Sequence, residues 1–108
     1  MIIACRTQQE ALDLLRHCLE EGKVIYGRHF REELANEGLS IEDAWSVLRH
    51  GQIFRPPEQD IKTREWKYRI EGREPAGTTL AVVFCFKEID SVFLMTIFSI
   101  ECKGRGIR

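Results

Sequence analysis

Two stretches of this 108-residue chain, Thr79 to Phe86 and Val92 to Ile100, are almost continuously apolar, joined by the short polar link Glu88-Ile89-Asp90-Ser91. A strand with one wet face alternates apolar and polar residues, so strands without alternation need cover on both faces. The link suits a hairpin. The pair therefore predicts two central antiparallel strands, and the rest of the chain has to supply their neighbours and their cover.

The neighbours are legible on the N-terminal side. From Glu65 to Glu71, Trp66, Tyr68 and Ile70 alternate with Glu65, Lys67, Arg69 and Glu71, which predicts a strand with one apolar and one polar face. Ile53-Phe54-Arg55 reads as a further strand, ended by Pro56-Pro57, which cannot donate to a ladder. Lys23 to Tyr26 is long enough only for an edge strand or an extended lead-in.

Three helices precede or interrupt these strands. Thr7-Gln8-Gln9-Glu10 has capping-box spacing, and Ala11, Leu14, Leu15, Cys18 and Leu19 recur at helical spacing up to Gly22, predicting a helix over 6–21. Phe30, Leu34 and Ala35 mark a second, with Gly38 placed as the left-handed residue after its end. Ser40 and Asp43 open a third, whose stripe of Ile41, Ala44, Trp45 and Leu48 stops at Gly51. The chain thus reads as one α+β domain over 1–108, with helices packed on a small twisted antiparallel sheet in the order α-β-α-α-β-β-β-β. The first helix covers one face of the central strands. A homodimer or another partner protein is expected on the second, since an apolar face of that size marks an interaction surface.

Composition narrows the class. Hydrophobic residues make up 44% and charged residues 31%, a globular balance rather than a membrane or disordered one. The apolar start of the chain is interrupted at Arg6, short of the roughly 15 residues of a signal sequence. Cys5, Cys18, Cys85 and Cys102 are scattered, with no Cys-x-x-Cys pair and no histidine at zinc-finger spacing, so reduced thiols in a cytoplasmic protein are expected, with no metal and no cofactor. The net charge is −1, but it is uneven. Residues 1–48 hold 5 Lys/Arg against 9 Asp/Glu, and residues 49–73 hold 7 against 4, a local basic excess able to attract phosphate.

Gly27-Arg-His-Phe-Arg31, Glu37-Gly-Leu-Ser-Ile-Glu42, His50-Gly-Gln-Ile53 and the strands Trp66 to Ile70, Leu80 to Phe86 and Phe93 to Ile97 together resemble a widespread, uncharacterised family of small bacterial domains. The likeness covers about residues 24–101 and leaves Gly104 to Arg108 as a short basic tail. In fold that family looks like the RelE/ParE toxin superfamily, closest to its BrnT-like and MqsR-like branches. The resemblance implies a toxin of a bacterial type II toxin–antitoxin system, a metal-independent endoribonuclease acting on messenger RNA, with an antitoxin encoded nearby. It also implies a departure: the MqsR-like branch uses a tyrosine in the strand corresponding to Thr79 to Val83, and here that stretch offers Leu80.

Such a ribonuclease needs a group to take the ribose 2′-hydroxyl proton, a donor for the leaving oxygen, and cations against the crowded phosphate. His29 is the first candidate. It lies in the first turn of the second helix with Arg28 and Arg31 beside it, where free backbone N–H groups favour an anion. A histidine that only caps or packs there is the competing reading. Lys67 and Arg69 share the polar face of their strand and are able to clamp a phosphate, with Arg64 just before them; Glu65 and Glu71 on that face fit surface ion pairs equally well. Tyr68 is a weaker catalytic candidate, since in a regular strand it points the other way, into the core. Lys87, at the end of the Ala81, Val83, Cys85 face, and Lys103 and Arg105 in the tail are able to add phosphate contacts. Trp45, Phe54 and Trp66 read as core. Against the enzyme stands a second class: a noncatalytic protein-binding module whose basic strip only solubilises it.

Overall fold

The computed structural model describes residues 4–100. Three helices and five strands follow in the order α1 (Gln8–Glu21), β1 (Lys23–Tyr26), α2 (Arg28–Asn36), α3 (Ile41–His50), β2 (Glu58–Gln59), β3 (Trp66–Arg73), β4 (Thr79–Glu88) and β5 (Ser91–Ser99). The helices start where the side chains cap them. Thr7 Oγ1 accepts the Glu10 amide at 3.1 Å while Glu10 Oε1 accepts the Thr7 amide at 2.9 Å, and Ser40 and Asp43 repeat the exchange at α3.

The sheet runs β1-β5-β4-β3-β2. The long apolar strands β4 and β5 pair antiparallel, but β1 pairs parallel to β5, with Lys23 opposite Ser91 and Tyr26 opposite Leu94. The sheet is therefore mixed, not antiparallel throughout. The sense of a four-residue edge strand is set by where the helix before it ends, and here Gly22 is pressed against the turn at Asp90, whose carbonyl accepts the Lys23 amide at 2.8 Å.

A second correction concerns residues 53–55. They form no strand; only Gln52 makes an isolated bridge, to Glu71, and the short β2 begins after the two prolines. The Ile53 carbonyl accepts instead from Gln8 Nε2 at 2.9 Å, and Pro56 and Pro57 have no amide to offer β3. Ile53 is buried, but Phe54, expected in the core, is 66% exposed.

One core holds the fold. Ala11, Leu12, Leu15 and Cys18 of α1, Phe30 and Leu34 of α2, and Ala44, Val47 and Leu48 of α3 pack with Tyr68, Ile70, Leu80, Val82, Phe84, Phe86, Val92, Leu94 and Ile97 of the sheet. All three helices thus contribute to a single side, and among the described residues the opposite face of β3, β4 and β5 is left without a helix layer. Strand β5 changes phase on the way. Its register passes from Thr96 opposite Val83 to Leu94 opposite Phe84, so Met95 is the extra residue of a bulge, and the core positions step from Val92 and Leu94 to Ile97.

Gly27 fixes how α2 leaves the sheet. Its amide donates to the Leu94 carbonyl at 3.0 Å, and a Cβ there would lie 2.7 Å from that oxygen and 2.8 Å from Phe93 Cζ. Only glycine lets the helix start this close to β5.

Candidate functional site

The uncovered face forms a cavity of about 530 Å³. Four parts of the chain meet around it: Arg28 and His29 from the first turn of α2, Arg55, Pro56 and Glu58 from the segment leading into β2, Lys67 and Arg69 from β3, and Val83, Phe93, Met95 and Thr96 from β4 and β5. The local reasons are separable. Gly27 brings the α2 start against Phe93, alternation in β3 points Lys67 and Arg69 away from the core, and the β5 bulge gives both Met95 and Thr96 to the cavity. No side chain caps α2, because its N-cap is Gly27, so the amides of its first turn remain available at the rim.

The electrostatics are those of partly matched charges. Arg28 Nε is 3.2 Å from Glu32, and His29 Nε2 is 3.9 Å from Glu33. Lys67 Nζ is 3.6 Å from Asp60, whose carboxyl is held below its usual range by the Thr63 and Lys62 amides and then by Lys67. Glu71 serves two guanidiniums through one oxygen: Arg69 Nε at 2.9 Å and Arg55 Nε at 4.0 Å. The Arg69 contact lacks hydrogen-bond direction, and that buried Nε has no hydrogen-bond partner among the described residues. Four cations thus share three partner carboxylates. The Arg69 guanidinium also lies 5.0 Å from the centre of the Phe98 ring, within cation–π range.

Of the residues singled out from the sequence, His29, Arg28, Lys67 and Arg69 come together here. Tyr68 borders the cavity, but its ring is 2% exposed, stacked on Phe84 at 5.6 Å and tilted against Phe86 at 5.5 Å, and its hydroxyl accepts the Arg6 amide at 2.9 Å. A regular strand carries it to the helix side, so it supplies no hydroxyl to the site. Burial, only partly offset by the Arg6 amide, raises its pKa. Arg31 is exposed further along α2 and is not among the residues lining the cavity. Arg64 also lies outside it, in left-handed backbone (φ 67°) that closes the turn between Asp60 and β3. Lys87 stays at the edge of this face. Its ammonium is 2.7 Å from Glu65, which raises its pKa, and 5.2 Å from the Phe93 ring centre. Lys103 and Arg105 lie outside the described residues, as does Cys102.

Arg55 and Glu58 escaped the sequence reading. Their signal was present in Arg55-Pro56-Pro57-Glu58, two charges flanking a pair of residues with fixed φ, which marks a stiff wall as readily as a strand end. Among the described residues no group of three or more His, Cys, Asp or Glu side chains is placed to hold a metal ion, and no helix is long and apolar enough to cross a membrane. Cys5, Cys18 and Cys85 are free thiols.

No curated protein and no solved structure matches this chain. One family model does, over residues 26–99, a span that begins at the last residue of β1 and contains every residue lining the cavity. By that match the chain belongs to the family described as Domain of unknown function (DUF4258).

Proposed function

We propose that the cavity binds the backbone of single-stranded RNA and that the protein is a metal-independent endoribonuclease, the toxin of a bacterial type II toxin–antitoxin pair in a RelE/ParE-like fold. The observation that carries this reading is convergence: Arg28, His29, Arg55, Lys67 and Arg69 come from three separate parts of the chain to line one cavity. Cations around a concave apolar surface are what a strand of phosphodiesters requires.

The chemistry is an internal transesterification. The ribose 2′-oxygen attacks the adjacent phosphorus, the bond to the 5′-oxygen breaks, and the products are a 2′,3′-cyclic phosphate and a 5′-hydroxyl. One proton leaves the 2′-hydroxyl and one joins the 5′-oxygen. Two side chains lining the cavity are of the kinds that serve as general acid and base, Glu58 and His29, and the Arg and Lys side chains oppose the charge that gathers on the phosphoryl oxygens. These groups supply the acid, the base and the cations, so this step has no need of a metal ion. An antitoxin that fills the cleft would silence it in the cytoplasm, and a homodimer is a second way to cover the open face.

The noncatalytic reading, a protein-binding module, draws on a different observation: each of the four cations already has a carboxylate within 4.0 Å. Incubation of the purified protein with messenger RNA in EDTA separates the two. Discrete fragments ending in 2′,3′-cyclic phosphate are expected, slowed roughly 10²- to 10⁴-fold by His29→Ala. The His29 side chain is 64% exposed, so that variant keeps its fold, as circular dichroism will show. A folded native protein that leaves the RNA intact, on and off ribosomes, favours the binding module.

A further inference from the structure

The proposed chemistry uses the rim of the cavity and leaves its floor unexplained. A phosphodiester needs cations and proton-exchange groups; it has no use for Val83, Phe93 and Met95 below it or Pro56 beside it. Those residues are not spare core. Phe93 and Met95 alternate with the core residues Val92 and Leu94 and are half-buried on the other face, and the β5 bulge sets Thr96 beside them. An apolar floor ringed by cations matches a ligand that is flat and apolar in its middle and anionic at its ends. Within a nucleic acid strand, that description fits one nucleotide.

Resting on the reading of this cleft as an RNA site, we propose that its floor holds a single unpaired nucleobase, turned out of its stack, while the flanking phosphates lie on Arg28 and Arg69. Size supports one base. A cavity of about 530 Å³ takes a ligand of small-molecule size, room for one base together with its ribose and flanking phosphates. Every base has a π-face, so such a floor accepts all four. The lining holds one neutral hydroxyl placed to read a base edge, Thr96, since the buried Tyr68 ring carries its own hydroxyl to the helix side. Base identity is therefore read weakly, and pairing state strongly.

The test uses 2′-O-methyl trinucleotides, which cannot be cleaved, titrated into the full-length protein at one salt concentration and followed by calorimetry. A fully abasic trimer is expected to bind roughly 5- to 150-fold more weakly than the complete one. A trimer that keeps only its central base, with a phosphate on either side, should recover to within about 2-fold of the complete molecule. Met95→Ala should shrink the gain from that base and leave the affinity of the abasic backbone unchanged. An abasic trimer that binds as well as the complete one overturns the inference and leaves the RNA cleft standing. So does an affinity that climbs with each added base, which describes an open stacking surface. A native protein that sediments as a dimer, broken by Met95→Glu, puts a second copy on the floor and also overturns it. If no trimer binds, the RNA reading of the cleft falls, and this inference falls with it.

Discussion

The two faces of the central sheet are made from the same strands and, in β4 and β5, from nearly the same kinds of side chain, yet they do opposite work. On one face Leu80, Val82, Phe84, Phe86, Leu94 and Ile97 are at most 4% exposed, sealed by all three helices. On the other, Val83, Phe93, Met95 and Phe98 are half-buried, and the cover is a ring of charged side chains with a cavity at its centre. The difference teaches that a continuous apolar run specifies burial of one face and only availability of the other. Helix packing decides which face becomes core, and what remains is the face that carries the cavity.

The comparison breaks most readily through paired truncations. Phe84→Ala, on the sealed face, should cost about 3–5 kcal/mol in urea unfolding, because the helices around it cannot collapse into the gap; Met95→Ala, on the open face, should cost about 1 kcal/mol or less. Equal losses would show the open face to be as much core as its opposite.

A smaller effect sharpens it. Cys18 lies under the helices and Cys85 on the alternate side of β4, yet burial pushes both thiols up to about 11, with acidic neighbours Asp90 and Glu65 adding to it. A folded-state value above the ordinary 9.0 means the protonated thiol is what the fold favours. That stability is complete below about pH 9 and is lost as pH rises toward about 11, roughly 2 kcal/mol for each thiol. Urea midpoints at about pH 8 and about pH 10.5 should differ less in Cys18→Ala and in Cys85→Ala than in the native chain. If only Cys18→Ala flattens the profile, water reaches Cys85 and the open face is looser than the helix-covered one.

The smallest effect concerns the charges at the edge of the open face. Lys87 and Glu65 are 2.7 Å apart but 40% and 22% exposed, so Lys87→Met should change stability by about 1 kcal/mol or less, and 0.5 M salt should remove most of that difference, as about that ionic strength does for exposed pairs. A larger loss would make this pair a structural clamp over Cys85.

How much of this was readable in advance follows from range. Helix ends written in adjacent residues, Thr7 with Glu10 and Ser40 with Asp43, were legible because the capping bonds reach only three positions. The three long strands were legible because alternation and its absence are local. Half of the site was legible for the same reason: Lys67 and Arg69 share a face by period, and Arg28 and His29 share a helix turn. The expected strand at Ile53 to Arg55 failed because Ile53 found Gln8 and the core rather than a ladder partner, while Phe54 stayed exposed. Arg55 and Glu58 were lost with it, and the parallel pairing of β1 joins residues nearly seventy positions apart, as Lys23 opposite Ser91 shows.

By itself, then, the sequence determined the elements, the apolar strands that had to be central, and the charges that had to stay wet, since each follows from contacts within a few residues along the chain. Tertiary structure alone decided that the helices gather on one side, that the β5 bulge puts Thr96 beside Met95 on the open face, and that Gly27 brings Arg28 and His29 to within one cavity of Lys67 and Arg69. The physical reason is that these outcomes depend on packing between segments distant in sequence, where a missing Cβ or one extra residue in a ladder carries the information and no periodicity announces it.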